Sequence, residues 1–295
     1  MNNILKNKID FAVISIVKGA NTGGDAETGI PREEDGIGRI VGVANKRRVR
    51  NYIHEQEGLP ILVQANNRNT DGLLSIKSRL ESDEYGLGKN IYKEPDKVII
   101  RKACEKFIDT RSFGQIITFH NQIGITGPVS IDDARSIEEI EIINIPITKS
   151  TNLQDIKNDK KDKNSNSEDG NDKDGNNKNG NTKASDTRGT QYKVKYGVYV
   201  FTGGIYPLFA EKTGFTTDDA EMIKKAFTRL YEGDMSANRP LGSMMVKDVL
   251  WWTHSSKSGS CSSARLFNTV KFNNEGGFKI LKEIDGVKLE VIEGF

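Results

Sequence analysis

A loop rich in Gly, Asn, Asp and Thr near the amino terminus has the composition of a phosphate-binding loop. Its sequence, KGANTGGDAETGIPR (residues 18–32), follows the apolar segment DFAVISIV (residues 10–17), which is typical of a strand. Many phosphate-binding loops begin in this way, but this one lacks both Gly-Lys-Ser/Thr and Gly-x-Gly-x-x-Gly. The loop is therefore either a turn, in which glycine supplies positive φ angles, or a cradle for phosphates of another kind.

Acidic residues in and after this loop suggest a second chemistry, the binding of a divalent cation. They are more simply explained as solvated loop side chains. The histidines, His54, His120 and His254, share no metal-ligand spacing with either cysteine, and no Gly-x-Ser-x-Gly nucleophile motif occurs. We therefore predict no catalytic residue, no metal site and no cofactor, and we keep a nucleotide- or metal-dependent phosphohydrolase as the alternative function. The acids that it would use are Asp25, Glu27, Glu33, Glu34 and Asp35.

A cluster of positive charges without any acid follows at residues 39–50, RIVGVANKRRVR. Apolar residues at helical spacing predict a helix with one buried stripe. Lys46, Arg47 and Arg50 point away from that stripe, whereas Arg48 lies nearer to it and has to extend its head group to reach solvent. Such a basic face is either simply solvated or binds the phosphates of a nucleic acid. If it binds them, neutralising the three outward side chains should weaken the binding of all RNA sequences alike.

Two further segments combine arginine with other potential nucleic-acid contacts. In DTRSFGQ (residues 109–115), Arg111 can fork onto a phosphate and Phe113 can stack on a base. A helix cap with a core phenylalanine explains the same sequence. The other segment, DMSANRPLGSM (residues 234–244), is most simply explained as a polar loop in which Arg239 is paired locally.

The elements that must position these segments follow from periodicity and helix capping. Thr217 is placed as the N-cap of the last helix, with Asp218 and Asp219 in its first turn. The elements follow the order βαββαβ, which is the pattern of ferredoxin-like folds and of RNA-recognition modules. The predicted strands are 10–17, 137–148, 191–201 and 244–253, and the predicted helices are 39–56, 96–110 and 216–233.

The segment 152–190 has almost no apolar residues and no helical or strand period. It cannot bury enough surface to offset the entropy of ordering, so it is predicted to be disordered. Its eight basic and eight acidic residues cancel, which argues against a polybasic RNA-binding arm. Because strands are predicted on both sides, the chain is interpreted as one domain, 1–295, with an overgrown hairpin tip.

The composition of the whole chain limits its partners and its compartment. A net charge of +2 does not by itself indicate a nucleic acid, so that signal has to come from local clusters. Cys104 and Cys261 are too few for a disulfide framework and are predicted to be free thiols in a reducing compartment. No apolar run approaches the roughly 20 residues of a membrane helix, and no secretory signal is recognisable. A cytoplasmic protein is therefore expected.

Taken in order, these segments resemble the CRISPR-associated backbone subunit of type I surveillance complexes, the type I-C form most closely. The resemblance runs from about residue 8 to about residue 272, apart from the insertion. The loop departs from the family at Thr22 and Gly23, where Pro-Asn is usual. The matching segments are VKGANTGGDAETGIPR, ANKRRVRNYI, DTRSFGQ, ITGPVSIDDARSI, YGVY, TGF, SANRPLGSM and WWTHSSKSGSCSSARLF.

The resemblance implies an α+β fold, namely a ferredoxin-like, RNA-recognition-motif-like palm with inserted finger and thumb regions, the insertion lying at the thumb. It implies a non-catalytic subunit that polymerises head to tail along CRISPR RNA and presents it for pairing with target DNA in antiviral defence. Its implied partners are CRISPR RNA, target DNA through guide pairing, copies of itself and other Cascade subunits. A single-strand-binding protein outside any CRISPR complex is a third hypothesis. The assigned RNA-binding residues, from the basic helix and the matching motifs together, are Asn21, Gly23, Gly24, Arg32, Lys46, Arg47, Arg50, Arg111, Ser112, Phe113, Gln115, Ser236 and Arg239.

Overall fold

A computed structural model of the chain describes residues 3–85, 87–118, 122–149 and 187–295. Most of the predicted disordered insertion, residues 152–186, lies outside the described residues, and so does His120. Contacts between Cα atoms divide the chain into two compact units. One comprises Met1–Ile143 and Tyr192–Phe295, and the other is Asn144–Gln191.

Helices or strands occur in each of the four described ranges. Short 3-10 helices occur at Asn66–Arg68, Asp83–Tyr85 and Ile91–Lys93. The α-helices are α1 (Gly42–Glu57), α2 (Ile76–Glu81), α3 (Asp96–Lys106), α4 (Ile108–Phe113), α5 (Pro207–Thr213), α6 (Thr217–Thr228) and α7 (Ser263–Phe267). The strands are β1 (Ile9–Ala20), β2 (Glu33–Glu34), β3 (Ile37–Ile40), β4 (Gly114–Ile117), β5 (Ile123–Thr126), β6 (Val129–Ile131), β7 (Ala134–Glu139), β8 (Ile142–Lys149), β9 (Thr187–Ile205), β10 (Met244–His254), β11 (Val270–Phe272), β12 (Phe278–Ile280) and β13 (Val287–Glu293).

The largest sheet among the described residues has nine strands, in the order β13-β10-β1-β9-β7-β3-β2, with β6 and β8 also paired to β9. Strand β1 pairs antiparallel with β10 on one side and with β9 on the other. Along the chain, α1 lies between β1 and β7, and α6 lies between β9 and β10. The predicted mixture of helices with a large antiparallel sheet is confirmed.

Strand β1 is central because both of its faces are apolar. Phe11 and Val13 belong to the core that α1 and α6 complete, whereas Ala12 and Ile14 belong to a core on the opposite face. The Phe11 ring stacks on Trp251 of β10 with the ring centroids 5.7 Å apart. A strand covered on both faces shows a continuous apolar run rather than an alternating pattern, which is why DFAVISIV predicts this strand.

A separate apolar cluster is built from the chain between α1 and β6. It contains Leu62, Leu80 and Phe107 together with residues of β5. Within this region the Arg79 guanidinium pairs with the Asp71 carboxylate at 2.7 Å, and both side chains are buried. This region therefore has a core of its own beside the main sheet.

Two predicted helix boundaries are wrong at their starts. The predicted helix 39–56 begins at Gly42, because Arg39 and Ile40 pair with β7 as part of β3. The last helix is capped by Thr216 rather than Thr217, since the Thr216 hydroxyl accepts the backbone N–H of Asp219 at 3.1 Å. Cap position depends on the backbone dihedral angles of neighbouring residues, which composition does not specify.

Three other predicted elements are shorter or divided. The helix 96–110 breaks at Phe107, whose extended backbone (φ −108°, ψ 111°) separates α3 from α4. The helix 216–233 ends at Thr228. The strand 137–148 is two strands, β7 and β8. The strands predicted at 10–17, 191–201 and 244–253 are confirmed within β1, β9 and β10.

Two remaining features are the state of the cysteine thiols and the length and polarity of the helices. Cys104 and Cys261 are free, and burial raises the pKa of Cys104 to about 12, which makes its thiol a weak nucleophile. In the part of the chain that the structure describes, the helices are too short or too polar to cross a bilayer.

Candidate nucleic-acid interface

The loop after β1 is closed by the side chain of Asn21, which is only 5% exposed. Its Nδ2 donates to the carbonyl oxygens of Gly29 at 2.8 Å and Tyr192 at 3.0 Å, and its Oδ1 accepts the N–H of Gly23 at 3.0 Å. The Arg32 guanidinium donates to the carbonyl oxygen of Gly23 at 3.0 Å. Asn21 and Arg32 therefore hold the loop in shape from within, with their hydrogen bonds made to backbone.

Gly24 supplies the tightest point of this loop, where it forms a bridge with Pro31. A Cβ atom on Gly24 would lie 2.5 Å from the carbonyl oxygen of Gly29, which is backbone of the same loop. We expect Gly24→Ala to lower the free energy of unfolding by about 1–3 kcal/mol, as overpacking does. Urea denaturation measures this, and Gly29→Asn is the control, because Gly29 has φ of 70°, which asparagine tolerates, and a Cβ atom there would have no atom within 4 Å. Equal losses in the two variants would show that the contact with Gly29 is not the cause.

The acids of the loop are used as turn caps and surface ion pairs. The backbone N–H groups of Thr28 and Glu27 bond to Asp25 and hold its pKa below the ordinary value. Glu34 pairs with Arg135 at 3.0 Å. Within the described ranges, no three His, Cys, Asp or Glu side chains come together as ligands for a metal ion. The arrangement gives the alternative hydrolase no support.

The basic helix α1 divides its cations between the interior and the surface. Arg48 is only 7% exposed and pairs with Asp234 at 2.7 Å, so it lies buried rather than extended to solvent. Arg50 pairs with Asp109 at 3.1 Å. Arg47 is exposed and Lys46 is partly exposed, and in the described part of the chain neither has a carboxylate within 4 Å. These two are the cations of α1 that remain available to an anion.

Phe113, at the end of α4, lies directly under the basic helix. Its ring centroid is 5.9 Å from the Lys46 ammonium and 5.0 Å from the Arg50 guanidinium carbon. Burial, and then the charge of Arg50, lower the pKa of Lys46 from its ordinary value. Phe113 also packs against the main core, so its ring is not free to stack on a base with both faces.

The other predicted residues of α4 and β4 are either buried or bonded to the protein itself. The Arg111 guanidinium forks onto the carboxylate of Asp219 at 2.7 and 2.9 Å. Ser112 is fully buried. The Gln115 amide donates to the carbonyl oxygen of Ile116 at 2.9 Å. The predicted role of Arg111 in phosphate binding would require it to leave an ion pair with the cap of α6.

The 234–243 loop lies beside both the opening loop and α1. Asp234 accepts both Arg48, at 2.7 Å, and Arg239, at 3.2 Å. Ser236 and Arg239 form a backbone bridge, which makes the loop a tight turn. The N–H of Asn21 donates to the carbonyl oxygen of Asn238 at 2.8 Å. Three segments that are distant in sequence are thus joined into one surface.

Two carboxylates that the sequence patterns did not indicate, Asp109 and Asp234, assemble this surface. Asp109 is 1% exposed and accepts the N–H groups of Leu62 at 2.8 Å and Val63 at 3.1 Å in addition to Arg50. An aspartate placed among Phe107 and Ile108 was the available signal, since a buried carboxylate needs a buried partner. Asp234 carried no comparable signal.

The chain is similar to one protein family and to several solved structures. The family profile described as "CRISPR-associated protein Cas7" matches residues 7–292. One similar solved structure is "CRISPR RNA-guided surveillance complex, pre-nicking", with 12% identity over 83% of this chain and 78% of that chain, and a TM-score of 0.49. A "CRISPR RNA-guided surveillance complex" has 12% identity over 83% and 68%, with a TM-score of 0.44.

A further similar structure is "Cryo-EM structure of the Type III-B Cmr-beta bound to cognate target RNA". Its identity is 12% over 82% of this chain and 60% of that chain, with a TM-score of 0.40. A search of curated protein sequences finds no significant match.

Proposed function

The chain belongs to the CRISPR-associated protein Cas7 family, and on this premise we propose that it is a non-catalytic, guide-RNA-binding backbone subunit of a CRISPR surveillance complex. The observation that carries the proposal is the α1 surface, where Lys46 and Arg47 have no carboxylate partner among the described residues. Unpaired cations on a rigid helix neutralise phosphates irrespective of sequence. Watson–Crick pairing by the guide then supplies the sequence specificity.

We assign the fold as a ferredoxin-like, RNA-recognition-motif-like palm with finger and thumb regions. The strand order β10-β1-β9-β7, with α1 and α6 as its two crossover helices, supports the palm. The region with its own core between α1 and β6 is assigned to the finger, and the unit Asn144–Gln191 to the thumb. The single domain 1–295 with its insertion at 152–190 stays a prediction.

The partners follow from this function. The subunit assembles head to tail with copies of itself along CRISPR RNA, joins other Cascade subunits, and presents the guide for pairing with target DNA. The contact between copies is heterologous, so it propagates until the RNA or an end subunit stops it. We further propose that the subunit is of the type I-C form, which is supported by the order of the matching motifs in the sequence. We also propose a cytoplasmic location.

The test is purification of the protein from cells with and without a cognate repeat–spacer array. We expect one discrete RNA on a denaturing gel, a raised 260/280 nm absorbance ratio, and large regular assemblies only when the array is present. A monomer without RNA in the presence of the array would refute the proposal. Hydrolysis that needs a divalent ion and disappears in Asp25→Asn would instead favour the phosphohydrolase.

The insertion offers a further prediction, although it lies outside the described residues. Deleting residues 155–186 should leave RNA binding within about twofold of the wild type, because the deleted segment, with seven basic and eight acidic residues, has no excess of positive charge to contribute to phosphate binding. Filter binding with the same RNA for both proteins measures this. A large loss of affinity would show that the insertion is part of the RNA site rather than a spare hairpin tip.

A further inference from the structure

The basic helix presents one ammonium group in an unusual setting. Lys46 lies over one face of Phe113 and beside Arg50, and no carboxylate of the described residues is within 4 Å of it. Arg50 also lies over this ring, but its charge is already balanced by Asp109. The binding of an anion stabilises a partly desolvated cation that has no counter-ion, because the anion replaces the lost hydration.

The neighbours of Lys46 are themselves fixed. Asp109 is buried and joins three segments, because it accepts hydrogen bonds from Arg50 and from the backbone N–H groups of Leu62 and Val63. Arg50 is thereby held over the ring, with its guanidinium carbon 5.0 Å from the Phe113 centroid. The ring is in turn packed against the main core. The position of the Lys46 ammonium is therefore determined by a buried carboxylate and by two partly buried side chains that the fold holds in place.

We propose that Phe113, Arg50 and Asp109 are positioning residues that hold the Lys46 ammonium ready for one backbone phosphate of the RNA. This inference rests on the proposed function and refines it. Lys46 contacts the phosphate, whereas Arg50 acts through Lys46 and keeps its bond to Asp109. The sequence pattern alone assigned Lys46 and Arg50 the same role.

The first test is a double-mutant cycle between Lys46→Gln and Phe113→Leu, measured as affinity for a single-stranded RNA at several salt concentrations. Lys46→Gln should lower the slope of log K against log salt by about 0.7, the value for one phosphate contact. Phe113→Leu should weaken binding about three- to tenfold in the wild type, as loss of a cation–π contact does. In the Lys46→Gln background it should have little further effect, because positioning residues act through the group they position.

The chain provides a matched control for the loss of an aromatic ring. Phe209 in α5 is also partly buried and carries Lys212 at 5.5 Å from its centroid. Phe209→Leu should leave RNA affinity unchanged. Equal weakening by Phe209→Leu and Phe113→Leu, or additive effects of Phe113→Leu and Lys46→Gln, would overturn the inference. If the wild type itself binds no guide RNA, the proposed function fails instead.

A second measurement leaves Phe113 in place, in case its variant does not fold. Arg50 is the one charged group that acts on Lys46 among the described residues, and together with burial it lowers the pKa of Lys46. Lys46 therefore loses its proton at a lower pH than an ordinary lysine, and its phosphate contact weakens as pH rises through that value. An adenine homopolymer is the probe, because its bases do not titrate above neutral pH. Its affinity should fall with rising pH in the wild type before it does in Lys46→Arg, and identical pH profiles would overturn the inference.

Discussion

Replacing Lys46 and Arg47 together by glutamine should weaken the binding of every RNA sequence by roughly tenfold or more at physiological salt, because two phosphate contacts are lost. Both side chains lack a carboxylate partner in the described residues, so no ion pair within that part of the protein neutralises their charge and both can bind RNA phosphates. The slope of log K against log salt should fall by about 1.4, since each contact with a single strand contributes about 0.7. Fluorescence anisotropy with two unrelated RNA sequences measures both quantities.

Arg50 is left out of this variant for a structural reason. Its removal would leave the carboxylate of Asp109 buried without its cation, and the loss of stability would obscure the loss of binding. The matched control is Lys97→Gln on α3, an exposed lysine for which the structure shows no ion pair. A loss of binding confined to one RNA sequence would refute the assignment of Lys46 and Arg47 to phosphates.

Asp234→Ala should lower the free energy of unfolding by about 3–5 kcal/mol. The buried guanidinium of Arg48 would keep only the Asn45 side-chain oxygen at 2.9 Å and the ring of Tyr231 as neighbours. The charge of Arg48 would then be uncompensated, and Arg239 would lose its carboxylate as well. Urea denaturation should show a lower midpoint with the same slope.

A nearby acid controls for the loss of a negative charge in this loop. Glu232 is exposed and lies two residues before Asp234, so Glu232→Ala should change stability by less than about 0.5 kcal/mol. RNA binding should also weaken in Asp234→Ala, because the loop that carries Ser236 and Arg239 is attached to α1 through Asp234. A midpoint equal to that of the wild type would mean that the Arg48–Asp234 pair contributes no net stability.

Local patterns were sufficient to predict the main strands and the apolar stripe of the basic helix. The buried residues Val49, Tyr52 and Ile53 follow that stripe, and DFAVISIV lies within β1. These features depend on neighbours a few residues away, which is the range over which a sequence can be interpreted directly.

The ion pairs of the surface could not be predicted in the same way. Arg111 pairs with Asp219, and Arg50 pairs with Asp109, across long stretches of sequence. The sequence around an arginine does not show whether its guanidinium binds a phosphate or a carboxylate from a distant part of the chain. The interpretation of Arg239 as locally paired was one of the two explanations left open, and its contact with Asp234 agrees with it.

The position of β1 has a consequence for the synthesis of the protein. This strand is synthesised well before its two partners, β9 and β10, which begin at Thr187 and Met244. At about 5–20 residues per second, β1 waits for β10 on the order of tens of seconds. During that interval an apolar strand with two unpaired edges is exposed to other nascent chains. The yield of folded protein therefore depends on how well β1 is shielded from other chains until β10 has been made.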